Sequence, residues 1–149
     1  MNHVIRQAVC ADEKRIRELF IEMLKTINHT DDEDGYEDGY LDKFWNGGED
    51  RIYVAEDGSF VVAFLSVEVH HEPQEYIYLD DFSVAEAYRN QGIGTKLMNA
   101  AEAYAEELNI PAVLLHVEKK NEAAFRFYER LGYYIYRDDG SRWLLVKEI

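Results

Sequence analysis

The chain has a single cysteine, Cys10, in 149 residues, so no internal disulfide can form and a reducing, cytoplasmic setting is expected. Nothing near Cys10 in sequence would lower its pKa, and it reads as a small buried side chain rather than a nucleophile. Basic residues are scarce: 16 Lys and Arg stand against 30 Asp and Glu, a net charge of −14. That balance argues against nucleic acid or anionic membranes as partners and favours a cationic one, although solubility alone can also favour an acidic surface. No apolar run approaches the length that spans a bilayer, and the first residues carry no charged-then-apolar export signal, so no membrane association is expected. The five histidines form no metal pattern: His70 and His71 are adjacent and point apart, and His116 reads as a satisfied core histidine. No metal site is therefore expected. There is no repeat, linker or low-complexity tail beyond one acidic stretch.

What is present suffices for one domain over residues 1–149. The hydrophobic fraction is 47%, too high for a disordered chain and enough to bury a core without staples. Residues His3 to Val9 read as a strand. Asp12 is placed to cap a helix whose stripe is Ile16, Leu19, Phe20, Met23, Leu24 and Ile27. The acidic stretch from Asp31 to Asp42 follows, with Leu41, Phe44 and Trp45 anchoring its end. Strands are predicted over Arg51–Glu56, Phe60–His70 and Glu75–Val84, the first two joined at Asp57-Gly58. A second helix starts near Gly92 and carries Ile93, Leu97, Met98, Ala101, Tyr104, Ala105 and Leu108 at helical spacing. Ala112–Val117 is nearly all apolar and reads as a strand buried on both faces. Asn121 caps a third helix with the stripe Ala124, Phe127, Tyr128 and Leu131, ended by Gly132. Tyr133–Arg137 and Arg142–Lys147 make a closing hairpin. The expected fold is α/β, with a mixed, mostly antiparallel sheet of about seven strands flanked by three to four helices and a crevice where strands end.

The segment Arg89-Asn90-Gln91-Gly92-Ile93-Gly94-Thr95 lies between a strand and a helix start. First-turn amides lack helical partners and the helix dipole favours negative charge there, so this turn is suited to an anion. Glycines at 92 and 94 leave the backbone open to a phosphate, and Arg89, Thr95 and Lys96 can add contacts. The spacing matches neither the P-loop nor the three-glycine dinucleotide fingerprint, and two glycines alone are equally compatible with a tight turn that binds nothing.

From Tyr76 to Tyr133 the sequence resembles the GNAT superfamily of acetyltransferases. Arg89 to Gly94 matches its Arg/Gln-x-x-Gly-x-Gly/Ala pyrophosphate motif, and Asn121 followed by Phe127-Tyr128-Glu129-Arg130-Leu131-Gly132-Tyr133 matches its second signature. The order of elements extends the likeness over nearly the whole chain. The resemblance implies acetyl-coenzyme A as cofactor, its pantetheine arm paired with backbone of Phe82 and Val84 and its pyrophosphate held by the amides of Gln91 to Thr95. Asn121 would bond the arm, beside its role as helix cap, and Phe127 and Tyr128 would flank the thioester, beside their place on an apolar stripe.

An alkylammonium, with a pKa of roughly 10, must lose a proton before attacking a thioester, and the leaving thiolate benefits from a donor. The resemblance makes Tyr128 the candidate acid. Asp80 and Asp81, two acids inside an otherwise apolar strand, are the candidate bases, Asp80 first. Successive strand side chains face opposite ways, so only one should reach an amine unless a bulge intervenes. The stretch Ile77 to Val84 is similar to the spermidine/spermine acetyltransferase branch, with Asp80 where that branch carries Glu. Asp31, Asp32, Glu33, Asp34, Glu37 and Asp38 are candidates for attracting a cationic small-molecule amine, and equally for a solvated loop. The alternatives are a protein lysine or N-terminal acetyltransferase and a non-catalytic coenzyme A module. A homodimer is plausible through apolar surface at Tyr133, Tyr134, Tyr136 and Trp143.

Overall fold

A computed structural model describes residues 3–28 and 35–149. Strands β1 (Val4–Gln7), β2 (Arg51–Asp57), β3 (Phe60–His70), β4 (Tyr76–Val84), β5 (Ala112–Glu118), β6 (Tyr134–Asp138) and β7 (Arg142–Glu148) form one sheet in the order β1-β2-β3-β4-β5-β7-β6. Every neighbouring pair is antiparallel except β4 and β5. Among the described residues three α-helices accompany it, α1 (Glu13–Asn28), α2 (Ile93–Glu107) and α3 (Glu122–Arg130). The expected α/β class, strand number and helix count all hold.

The helices cover both faces of the sheet. Phe82 and Ser83 are adjacent on β4 and project oppositely. The Phe82 ring reaches Gly94 in α2, while the Ser83 hydroxyl donates to the Leu19 carbonyl of α1 at 3.3 Å. Ile16 and Leu19 of α1 and Ile93, Leu97, Met98 and Ala101 of α2 are fully buried or nearly so, as their spacing predicted. The interior strand β3 is buried from Val61 to Val67, covered on both faces.

Four local expectations change. Asp12 directly precedes α1, but it ends a 3₁₀ turn over Cys10–Asp12 and its carboxylate turns back, accepting from the Val9 amide at 2.8 Å and from Arg6 through both oxygens. Cys10 is exposed, because that turn puts it on the surface. Strand β5 is buried on one face only, with Leu114 and His116 half-open on the other, because α1 packs over β3 and β4 and not over β5. Tyr133 is buried, its hydroxyl donating to Glu102, and Trp143 is half-buried, so the exposed apolar surface of edge strand β6 is Tyr134, Ile135 and Tyr136.

Candidate active site

The parallel contact between β4 and β5 is short, running from Ile77 opposite Val113 to Leu79 opposite Leu115. Beyond it the strands diverge, while β5 stays paired along its whole length with β7 on its other edge. The Ala85 amide bonds to the Val62 carbonyl, which fixes Ala85 and Ser83 towards β3. By alternation the backbone groups of Phe82 and Val84 point the other way, into the gap left by β5. A cleft of about 660 Å³ fills this gap, between the end of β4 and the start of α2 on one side and α3 on the other.

Of the residues expected to hold the cofactor, Phe82, Val84, Arg89, Asn90, Gly92, Ile93, Gly94, Thr95, Asn121 and Phe127 line the cleft, together with Tyr128. Gln91 does not: its side chain turns back to donate to the Ala87 carbonyl, leaving only its main chain beside the site. Gly92 caps α2 with φ of 82°, and no side chain caps that helix, so the amides of Ile93, Gly94 and Thr95 lack helical partners at the cleft wall. A Cβ at Gly92 would meet nothing, and its glycine answers to the backbone angle. At Gly94 a Cβ would stand 2.9 Å from Phe82 and 3.2 Å from Phe127, so this glycine makes room for two rings as well as for a ligand. Arg89 Nε donates to the Val84 carbonyl at 3.0 Å, tying the loop to the strand end. Asn121 is a helix cap, its Oδ1 accepting from the Ala124 amide at 3.1 Å, and it faces the cleft as well. The cleft also takes in Met23 and Thr26 of α1, Tyr88, and Arg130 at the end of α3. None of these last four was anticipated from the sequence: Met23, Thr26 and Tyr88 lie outside the motifs, and Arg130, inside the second one, occupies a position that the motif leaves open.

Phe82, Phe127, Tyr128 and Tyr133 form a run of rings with centroids 5.2 to 6.2 Å apart. Burial among them pushes the Tyr128 phenol up to about 12, so it stays protonated near neutral pH. Among the described residues its hydroxyl has no hydrogen-bond partner.

The Asp80–Asp81 pair lies outside this cleft, in the α1 side of β4. Leu65 of β3 faces Phe82, but Val67 faces Leu79, so three steps on β4 match two on β3. This is a bulge, and it removes the strict alternation that would have sent the two carboxylates to opposite faces. The Ser66 hydroxyl accepts from the Asp81 amide at 2.8 Å and fills the interrupted ladder. Tyr36 donates to Asp81 Oδ2 at 2.6 Å, and Tyr40, beside Asp80, favours the ionised form of that carboxyl. Tyr36 is stacked between Phe20 of α1 and Tyr40, at 3.8 and 5.0 Å. Burial pushes the Asp81 carboxyl up to about 6, against the Tyr36 hydrogen bond, which favours ionisation. Asp80 keeps access to solvent, yet desolvation, with the neighbouring Glu68 carboxylate, raises it too.

Of the acidic stretch, Asp31, Asp32, Glu33 and Asp34 lie outside the described residues. Glu37 and Asp38 are exposed, and their carboxylates bond nothing among the described residues. The part of this segment that reaches the Asp pair is instead aromatic, Tyr36 and Tyr40. Arg17 holds it there, donating to the carbonyls of Tyr36 at 2.9 Å and Glu37 at 3.3 Å.

His116 is satisfied, as expected, but by functional-looking partners. Its Nδ1 lies 2.6 Å from the Tyr78 hydroxyl and its Nε2 2.7 Å from Asp139, which also binds Arg137. Tyr78 and His116 stand where β4 and β5 begin to part, on the half-open face. Distance along the chain concealed this relay; only the register of β4 against β5 creates it.

A splayed parallel strand pair, unpaired strand backbone and a glycine-capped helix start together define a cleft built for a long ligand with an anionic, phosphate-like end and an extended arm. The comparisons agree, and the chain belongs to the acetyltransferase (GNAT) family, whose profile matches residues 3–133. Acetyl-coenzyme A is the acyl donor of that family. The chain is similar to the catalytic subunit NAA10 of the N-terminal acetyltransferase A complex of Arabidopsis thaliana, 38% identical over 56% of this chain and 46% of that protein. It is also similar to streptothricin acetyltransferase A of Bacillus subtilis, 26% identical over 66% of this chain and 61% of that protein. The chain thus spans about half the length of the curated relatives it matches. Its fold matches that of the PaiA N-acetyltransferase from Thermoplasma acidophilum, solved with coenzyme A, at a TM-score of 0.81 and 19% identity over the whole of both chains.

Proposed function

We propose that this chain transfers the acetyl group of acetyl-coenzyme A to a primary amine on a small cationic acceptor, polyamine-like or aminoglycoside-like. The observation that carries this reading is the pairing of two compartments at one bulged strand. Phe82 and Val84 offer backbone to the cofactor cleft, and Asp80 and Asp81, immediately before them, offer carboxylates to the opposite side.

The residues present fit the cofactor. The free amides of Ile93 to Thr95 would hold the pyrophosphate, with the helix dipole adding to them. The outward backbone of Phe82 and Val84 would hold the arm as an added strand. When bound, the cofactor supplies an activated acetyl thioester. Asp80, open to solvent, accepts a proton from the incoming ammonium, directly or through water, and holds the amine in line. Asp81 is kept by Tyr36 and by the Ser66 bond to its amide, and shapes the bulge. Tyr128, which lines the same cleft with a protonated hydroxyl, would donate a hydrogen bond to the thioester sulfur. Full transfer from a phenol pushed up to about 12 to a thiolate whose acid is near 8.5 is uphill, so stabilisation by this bond, rather than early proton release, is its contribution. The Tyr78–His116–Asp139 relay gives the amine proton a second route from the same face.

A second reading, acetylation of a protein N-terminal amine, is favoured by the likeness to NAA10. A thiol-release assay with acetyl-coenzyme A against polyamines, aminoglycosides and short peptides separates the two. Turnover of the small cations above that of peptides supports our reading, and turnover of peptides alone overturns it. Coenzyme A should raise the melting temperature in every case, by about 2.7 kcal/mol of stabilisation at one hundred times its Kd.

A further inference from the structure

The acceptor side of β4 contains a cation of the chain's own. Lys43 closes the 3₁₀ turn over Tyr40–Phe44, and its Nζ donates to Glu68 Oε2 at 2.6 Å. The ammonium also lies 5.2 Å from the ring centres of both Tyr40 and Phe44. Glu68 is directly opposite Tyr78 across the β3–β4 ladder, two residues before Asp80. Lys43 therefore stands over the site that the proposed acceptor would enter, in the aromatic and anionic setting that an alkylammonium prefers.

We propose that Lys43 is an internal counter-ion of the acceptor site, and that it sets how many positive charges an acceptor needs. This rests on the reading of Asp80 and Asp81 as the acceptor side. Three carboxylates, Glu68, Asp80 and Asp81, converge there. Lys43 neutralises the one farthest from the bulge and leaves the two at the bulge for the substrate. Other charged groups sit farther out: Asp50, whose carboxylate accepts from the Val69 amide, His70, 3.7 Å from the second Glu68 oxygen, and Arg142 on the β7 side of Tyr78. Lys43 opposes the raising effect of Glu68 on both Asp80 and Asp81. Without it, Glu68 becomes a third anionic contact, placed to receive a second ammonium.

The test compares kcat/KM for 1,4-diaminobutane and 1-aminobutane in wild type, Lys43→Met and Lys43→Arg. Lys43→Met should raise the diamine-to-monoamine ratio on the order of tenfold, through the diamine's KM with kcat little changed, and Lys43→Arg should restore the wild-type ratio. An unchanged ratio in an active Lys43→Met enzyme overturns the proposal. If Lys43→Met does not fold by circular dichroism, Glu68→Gln decides, since removing that charge must leave a ratio no higher than wild type, and a rise overturns the proposal. If the wild type acetylates peptide amines and neither butylamine, the small-amine reading is what fails. The same ratio, taken between peptides with lysine and norleucine at the second residue, then decides the role of Lys43.

Discussion

Burial pushes Tyr128, Asp80 and Asp81 in one direction, towards their neutral forms, but the consequences differ. For Tyr128 the neutral form is the one that its proposed role, donating a hydrogen bond, requires. Tyr128→Phe removes a hydroxyl with no partner among the described residues, so it should lower kcat on the order of a hundredfold while leaving KM for acetyl-coenzyme A and the melting temperature nearly unchanged. Steady-state kinetics with a thermal melt check this, and undiminished kcat would remove Tyr128 from the chemistry. For Asp81 the ionised form, which prevails above pH 6, is a burden on the fold. Its folded carboxyl titrates at about 6, above its ordinary value of 3.8. Below pH 4 both states hold the proton and nothing is lost; between pH 4 and 6 only the folded state holds it, and stability falls as pH rises until both have released it. Asp81→Asn should therefore be more stable than wild type by about 1–2 kcal/mol at pH 8, after allowing for solvent screening, with the gain fading towards pH 4 in urea melts. Asp80→Asn should instead cost activity, on the order of a hundredfold in kcat/KM. The sequence made both acids conspicuous because charges are rare inside apolar strands. It could not assign them separate roles, since Tyr36 and Tyr40, which distinguish them, are some 40 residues away.

At the scale of elements, the start of α2 depends on two glycines for different reasons. Gly94→Ala would drive a methyl against the rings of Phe82 and Phe127, and both rings border the cofactor cleft. Ring ends can yield, so the fold should survive at a cost of about 1–3 kcal/mol. The displaced rings would narrow the cleft and raise KM for acetyl-coenzyme A several-fold, with the acceptor's KM unaffected. Isothermal titration with coenzyme A measures the loss directly. Elements with a clear hydrophobic period were legible: the stripes of α2 and α3, that of α1 from Ile16 to Leu24 (the Ile27 side chain lies outside what is described), and the β2–β3 and β6–β7 hairpins stand where spacing put them. The glycine turn was legible because a motif and a helix start coincide. The bulge at Asp80-Asp81 was not, because it is defined by a count of residues on β3, and a single strand's sequence contains no register. The half-open face of β5 was missed for a related reason: an apolar run reports what can be buried, while the reach of α1 decides what is.

For the whole molecule the acidic surface and the two substrates pull in opposite senses. A net charge of −14 repels an anionic cofactor at long range, and the first-turn amides of α2 with Arg89 and Arg130 must recover it at contact. On the proposed reading the same field would draw a cationic acceptor towards the face that carries Glu68, Asp80 and Asp81. Long-range attraction is screened over a Debye length, about 30 Å at 0.01 M salt and about 8 Å at 0.15 M, whereas the buried contacts of Asp81 are screened far less. Raising salt across that range should therefore increase KM for a diamine several-fold, increase it less for a monoamine, and leave kcat nearly constant. Because the effect scales with acceptor charge, an uncharged control amine such as hydroxylamine, neutral at pH 7.5, should show a flat KM. Equal salt slopes for all three acceptors would mean that the acidic surface serves solubility alone, and that acceptor selection is confined to the groups in contact at the bulge.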